Sequence, residues 1–259
     1  MQTTHTKNTS LSVTFLGTGP SLGIPVINCS CSVCKSKDCR DKRTRSSVII
    51  ESHNTKIVID CSPDFRQQAL RENIYQLDAL LITHGHRDHI GGFYDLIKIF
   101  ATPGFKIFAD EKILQSFKKN HSKHLSNESR KKIDFTAIDE KPFQIGNIGI
   151  KPVPGFHGKL PVWGFVMNNK LGYFTDINFI PESQWHWLYG LDVLILSALQ
   201  QQAHDSHLSV SQAVEWIKKL NPKKAFITHL SHDAGLQAHL EKQLPFPVYA
   251  AFDGLKSEV

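Results

Sequence analysis

The 259-residue sequence contains no apolar run long enough to span a membrane, and its polar start, Met1 to Ser10, lacks the apolar stretch of an export signal. A cytoplasmic protein with no membrane partner is therefore expected. No stretch rich in proline, glycine or serine divides the chain, and no internal repeat is visible. Residues 1–259 accordingly read as one domain, and the length suffices for a sizeable core. Charged residues are an ordinary 21%, which excludes global disorder. Cysteine is sparse and odd in number, at 5, with three in the short run Cys29-Ser30-Cys31-Ser32-Val33-Cys34. Without an export signal, that cluster reads as a metal site rather than as disulfides.

Histidine is what the chain has in excess, with 14 residues. It is the commonest metal ligand and the usual proton shuttle near neutral pH, so spacing decides whether these residues work together. The formal net charge is +6. That balance suits an anionic substrate but is too mild to imply nucleic-acid binding. A homodimer is left open.

Short apolar runs read as strands at Leu11–Leu16, at Ser47–Glu51 and Lys56–Asp60 (a hairpin around His53-Asn54), and at Ala79–Thr83. Pro63–Glu72 reads as a helix, and Gly91-Gly92 opens another that runs to about Phe100. A strand at Lys106–Ala109 precedes a helix capped by Asp110. Residues 118–132 are polar and basic, consistent with a solvated helix and loop or with a substrate arm. Strands follow at Gly149–Val153, Gly164–Met167, Gly172–Thr175, Asp192–Ser197, Ala225–Thr228 and Val248–Ala251. The two last helices are expected at Ser209–Leu220 and Asp233–Leu244. Both halves place a histidine directly after an apolar strand, His84 and His229. Two packed β-layers with helices outside are the architecture that accommodates this order.

Thr83-His84-Gly85-His86-Arg87-Asp88-His89-Ile90-Gly91-Gly92 is the strongest signal. Four ligand-type side chains follow a buried strand. Alternation points His84 and His86 the same way, while Asp88 and His89 sit where the chain turns into a helix and face a second point. This spacing suits two adjacent metals.

The motif resembles the HxHxDH signature of the metallo-β-lactamase superfamily. The resemblance implies an α/β protein of αββα layering: two packed mixed β-sheets with helices on the outer faces. It also supplies the later ligands in order. His157 resembles the third ligand of the first metal, with His84 and His86. Asp176 resembles the carboxylate between the metals. His229 resembles the last ligand of the second metal, with Asp88 and His89. Asp88 is thereby tied to catalysis as well as to metal binding. An aspartate in the position of Asp60 commonly supports the metal ligands by hydrogen bonds in this superfamily.

Cys29, Cys31 and Cys34 are soft ligands that suit zinc, and a tetrahedral structural site needs a fourth donor. Cys39 and His232 are both candidates. Gly17-Thr18-Gly19, Gly23-Ile24-Pro25, the CxCxxC run and Thr228 to Asp233 together resemble the branch containing the phosphoribosyl cyclic phosphate phosphodiesterase of carbon–phosphorus lyase metabolism, the PhnP-like branch. That resemblance implies one structural zinc on Cys29, Cys31, Cys34 and His232, alongside two divalent catalytic metals, zinc or manganese. It leaves Cys39 and Cys61 as spare thiols. Such a zinc would pin the long loop of about residues 17–45 to the C-terminal region.

The implied activity is metal-dependent hydrolysis of a small anionic phosphodiester, cyclic and of ribose or nucleotide type. The pair of metals would activate a water between them. His207 is the candidate proton donor to the leaving group, His204 its rival, and Asp205 a group that would orient one of them. The first alternative is a tRNA 3′-processing endoribonuclease, but the Gly/Pro-rich arm usual there is missing. The CxCxxC run argues against a β-lactamase or thioesterase. The non-catalytic alternative is an accessory protein similar to a relative in pyrroloquinoline quinone biosynthesis, which shares a segment seen here as Pro25 to Cys34. The intact ligand set favours catalysis.

Overall fold

The computed structural model describes residues 10–100, 102–121 and 132–259. The first half of the chain builds β1 (Ser12–Gly17), β2 (Ser47–Ser52), β3 (Thr55–Ile59), α1 (Phe65–Arg71), β4 (Ala79–Leu81), α2 (Arg87–Ile90), α3 (Phe93–Phe100), β5 (Phe105–Ala109), α4 (Glu111–His121) and β6 (Ile133–Ala137). The second half builds β7 (Phe143–Ile145), β8 (Ile148–His157), β9 (Leu160–Met167), β10 (Leu171–Phe174), β11 (Val193–Ser197), α5 (Val210–Leu220), β12 (Lys224–Thr228), α6 (Gln237–Gln243), β13 (Val248–Ala250) and β14 (Lys256–Glu258).

Each half forms its own sheet, except that β14 returns to pair antiparallel with β1. The orders are β14-β1-β2-β3-β4-β5-β6 and β13-β12-β11-β10-β9-β8-β7. Both sheets are mixed, as the resemblance implied. β1, β2 and β3 pair antiparallel and β3 to β6 run parallel. β7 to β10 pair antiparallel and β10 to β13 run parallel. Central strands of the second kind are buried on both faces, and their composition shows it in continuous runs such as Val193-Leu194-Ile195-Leu196.

Alternation along each strand sorts side chains into layers. Val13, Phe15, Ile50, Ile57, Leu81, Phe165, Tyr173, Ile195 and Phe226 meet between the sheets. Leu16, Ile49, Val58, Leu80 and Ile107 turn outward onto Phe65, Phe93 and Leu96 of α1 and α3. Phe174, Leu194, Leu196 and Ile227 turn outward onto Ala213 and Ile217 of α5 and Leu240 of α6. Each such buried aliphatic or aromatic side chain contributes about 1.5–3 kcal/mol of transfer free energy.

Local chemistry sets the element ends. His53, at φ 51°, turns β2 into β3. Ser209 caps α5 in a reciprocal box: Gln212 N donates to Ser209 Oγ (3.3 Å), and Ser209 N donates to Gln212 Oε1 (2.9 Å). The helix expected at Asp233–Leu244 is shorter. Gly235, at φ 107°, breaks it, leaving one tight turn at His232–Ala234 before α6. β8 and β9 extend beyond their expected bounds to His157 and Leu160. β14 had no apolar signature because only Ser257 of its three residues is buried. Most of the basic segment 118–132 lies outside the described residues.

This topology brings the carboxyl ends of β3, β4, β8, β10 and β12 to one edge of the sandwich, where parallel-strand proteins place their ligands. The Gly91-Gly92 step allows the close approach there. Gly92 N donates to Cys61 O at 2.8 Å, and a Cβ on Gly92 would run into Ser62 O and come within 2.8 Å of Phe65 Cβ. Gly92→Ala should therefore destabilise the protein by about 1–3 kcal/mol in urea unfolding. Gly149→Ala, whose new methyl meets only Asn168 Oδ1 at 3.5 Å, should change stability by less than about 0.5 kcal/mol.

Candidate metal centre

Ligand atoms from both sheets converge at this edge. Those of Asp88, His89, Asp176 and His229 all lie within 4.8 Å of one another, as do those of His84, His86 and Asp176. Asp176 is common to both groups and faces both ways. Its Oδ2 lies 2.9 Å from His89 Nε2 and 3.5 Å from His84 Nε2, while its Oδ1 lies 3.1 Å from His229 Nε2. Asp88 Oδ2 is 3.5 Å from His89 Nε2 and 3.9 Å from His229 Nε2. The His157 ring adjoins the second group, 5.2 Å from His86 and 5.8 Å from His84. The Nε2 atoms of His84, His89 and His229 are buried without an aligned hydrogen-bond partner. Buried imidazole nitrogens facing a shared carboxylate fit divalent cations.

The opposite side of most rings is held by the protein. Asp60, fully buried, accepts from Thr83 N (2.9 Å), Thr83 Oγ1 (2.8 Å) and His89 Nδ1 (2.6 Å). His84 Nδ1 contacts Thr83 Oγ1 at 3.0 Å. His157 Nδ1 donates to Ser206 O at 2.7 Å. Three site residues at or just past strand ends adopt the left-handed backbone region: Asp60 (φ 62°), Asp176 (φ 54°) and His229 (φ 59°). Asp and His tolerate this better than most residues, but each instance still costs about 1–3 kcal/mol, a strain the surrounding packing must offset.

The electrostatics follow from the crowding. Burial opposes charge on His89, but Asp60 and Asp176 on its two sides outweigh it and hold a proton there, where a cation would otherwise balance them. Burial and the neighbouring His89 push His84 well down. Burial also works against ionisation of Asp88 and Asp176, yet their histidine neighbours hold both well below the usual carboxylate range. The Ser21 hydroxyl, from the Gly17–Arg45 loop, adds to the stabilisation of Asp88.

His207 stands among these groups. Its ring lies 4.4 Å from His157 and stacks on His229 at 5.1 Å, and its Nδ1 is 3.7 Å from Asp176 Oδ1. Burial pushes its pKa down to about 3, against the pull of Asp176, so the resting ring is neutral. His204 is exposed, with its ring 5.1 Å from His207. Its Nδ1 contacts Ser206 N (3.3 Å) and Oγ (3.4 Å). The expected orienting role of Asp205 therefore falls to Ser206, which lies next to it. Asp205 instead offers its carbonyl to Asn178 Nδ2 at 3.1 Å. Ser206, Thr83 and Ser21 have no motif of their own. Only adjacency to His84 and to His207 could have marked Thr83 and Ser206.

A second donor cluster lies on the loop side. Cys29 Sγ, Cys31 Sγ and Cys34 Sγ stand 3.3, 3.4 and 3.7 Å from His232 Nδ1. A tetrahedral zinc with bonds of about 2.3 Å to sulfur and about 2.0 Å to nitrogen implies sulfur–nitrogen separations of roughly 3.6 Å. The set therefore fits zinc, and His232, not Cys39, completes it. The Cys34 amide and His232 lower Cys31 to about 6, whereas burial raises Cys34 to about 11. The same loop is anchored a second time. Arg43, almost fully buried, donates to Thr18 Oγ1 (2.8 Å), Ala251 O (2.5 Å) and Gln237 Oε1 (2.6 Å). Asp253 accepts from Thr18 N and Oγ1 and from Thr44 N and Oγ1.

Removing the support beneath His89 tests this construction. Asp60→Asn should weaken binding of a divalent ion by about 10–100-fold in a competition titration against a chelator. Cys31→Ser should instead lower only the tightly held zinc found by elemental analysis.

A family model described as a β-lactamase superfamily domain matches residues 55–230. The crystal structure of a diphosphatase from the PhnP family superposes with a TM-score of 0.89 at 34% identity, covering 96% of this chain and 97% of that one. A protein named octanoyltransferase from Porphyromonas gingivalis is 36% identical over 249 residues, which is 93% of this chain and 50% of that protein. Coenzyme PQQ synthesis protein B from Methylorubrum populi is 29% identical over 190 residues, 63% of this chain and 58% of that protein. The chain thus spans about half the length of these two curated relatives. The match to the diphosphatase runs nearly end to end in both chains. The chain belongs to the metallo-β-lactamase superfamily, in its PhnP-like branch.

Proposed function

We propose that this protein is a metal-dependent hydrolase of small anionic phosphodiesters. The observation that carries the reading is His207, a ring outside both ligand groups that touches Asp176, His157 and His229. In this reading His84, His86 and His157 hold one divalent ion, zinc or manganese. Asp88, His89 and His229 hold the second, and Asp176 lies between them. Such a pair of ions supplies an activated water and offsets charge on the phosphoryl oxygens. Asp60, Thr83 and Ser206 keep the imidazoles oriented. His207 turns its buried Nδ1 toward Asp176, so Nε2 is the nitrogen available to the leaving-group oxygen. To donate to the charge developing there, the ring must carry its proton on Nε2. Cys29, Cys31, Cys34 and His232 hold a structural zinc.

The diphosphatase likeness favours a second reading within the same chemistry, in which the bond cut joins two phosphates. Octanoyl transfer, the activity in the name of the Porphyromonas gingivalis protein, finds less support. Cys61 is buried in the core against α1, and Cys39 lies in a separate cleft beside Arg40 and Lys42. The other three thiols belong to the cluster with His232, so no free thiol opens onto the histidine centre among the described residues.

His207→Ala should lower kcat for bis(p-nitrophenyl) phosphate by about 10²–10⁴-fold while elemental analysis finds the metal content retained. Chelation should strip two ions and abolish turnover, with one zinc resisting removal. A protein holding a single tight zinc and showing no turnover would overturn the reading.

A further inference from the structure

An imidazole that holds a metal is oriented by the partner of its other ring nitrogen. His89 Nδ1 has Asp60, His84 Nδ1 has Thr83 Oγ1 and His157 Nδ1 has Ser206 O. His86 is exposed to solvent. His229 is the exception. It turns Nε2 to Asp176 Oδ1 at 3.1 Å, and its Nδ1 is buried without an aligned partner among the described residues. A buried ring nitrogen in that state is rare in native proteins and calls for an explanation.

The strands beneath it supply one. Ser197 ends β11, Thr228 ends β12, and the two are paired in register. Ile195 and Phe226 face the layer between the sheets, whereas Leu196 and Ile227 face the helices. Alternation therefore turns both Ser197 and Thr228 into the inter-sheet layer, on strands about 4.8 Å apart. Thr228 directly precedes His229 in the chain. Both residues are buried, and neither Ser197 Oγ nor Thr228 Oγ1 has an aligned partner. The backbone between them is already used, because Ala198 N donates to Thr228 O at 2.8 Å. Tyr173, on the same face of the adjoining β10, carries a third such hydroxyl. Burial, with Asp60 and Asp176 nearby, pushes that hydroxyl well above its ordinary value, so it stays a neutral O–H. Polar atoms gathered in this way fit an internal water, which takes two to four polar partners.

We propose that an internal water joins His229 Nδ1 to Ser197 and Thr228, which makes these two hydroxyls positioning residues for a ligand of the second ion. His229 Nδ1–H donates to the water, and the water donates to Ser197 Oγ and Thr228 Oγ1. Nε2 is thereby kept free of a proton and turned to the ion. The second acceptor position of the water is open to the Tyr173 hydroxyl. This rests on the two-ion reading of the centre and holds whichever phosphodiester is cut.

The test is a zinc titration in competition with a chromogenic chelator, on full-length protein stripped of its exchangeable ions. Thr228→Val deletes the hydroxyl at nearly constant volume and should weaken one of the two exchangeable zincs by about 10–100-fold. Thr228→Ser keeps the hydroxyl and should keep native affinity. Ser197→Ala should cost about as much as Thr228→Val. The double variant should cost no more than either alone, because both act through one water. Urea unfolding checks that each variant is folded, and Ser197→Ala carries the comparison should Thr228→Val not fold. Native affinity in folded Thr228→Val or Ser197→Ala overturns the proposal. Equal losses in Thr228→Val and Thr228→Ser overturn it too, as do losses that add in the double variant. A native protein that takes up no exchangeable zinc sinks the two-ion reading itself. Two exchangeable zincs with unaltered variants sink only the water site.

Discussion

Taking imidazoles and carboxylates out of water together is unfavourable unless every nitrogen and oxygen finds a partner. The architecture of this protein meets most of that constraint at one edge, with His229 Nδ1 left without a hydrogen-bond partner among the described residues. Asp60 answers His89 and Thr83 from beneath, Thr83 reaches His84, and the Ser206 carbonyl takes His157. The remaining nitrogens of His84, His89 and His229 turn inward to Asp176 and Asp88. Divalent cations would balance a set so arranged, and Asp60 and Asp176 favour positive charge at His89 between them. Three residues in the left-handed backbone region show how tightly the strand ends are bent to reach this geometry.

The loop of residues 17–45 obeys the same rule by other means. It carries few apolar side chains, and only Ile24, Val33 and Cys34 form a small buried cluster of its own. The loop is instead held by its thiols at His232 and by Arg43 at Thr18, Gln237 and Ala251. Burial lowers the Arg43 pKa only to about 10, so it stays a cation near the Asp253 carboxylate. Because His229 and His232 lie on one short turn after β12, the loop anchor and the centre share a backbone segment. Leu230 N donating to Thr18 O closes that link at 2.9 Å. Ser21 reaches Asp88 from the same loop.

Much of this was legible because the motifs are dense. His84, His86, Asp88 and His89 fall within six consecutive positions after a buried strand, and such a run has few uses besides metal binding. Cys29 to Cys34 is comparably compact. The strands were legible where both faces are buried, as at Ala79–Leu81 and Val193–Ser197. They were illegible where polarity masks the ladder, as at Lys256–Glu258. Gly235 shortened the last helix because a glycine can take a backbone conformation that ends it, and periodicity does not register that.

What the sequence by itself determined is the local inventory, two β-layers, donors for metals and a cysteine cluster, while the mixed sheets and the role of His207 came from the family resemblance. Local spacing carries such information because neighbouring ligands need only one turn to converge. The distant members of each group, Asp176, His229 and His232, were named by the family resemblance, and the tertiary structure brings their donor atoms together with the local ones. It placed His232 rather than Cys39 beside the thiols, and it set Ser206 against both His157 and His204. Those pairings link residues tens to hundreds of positions apart. They follow from how the two sheets pack face to face, a relation that no local pattern encodes.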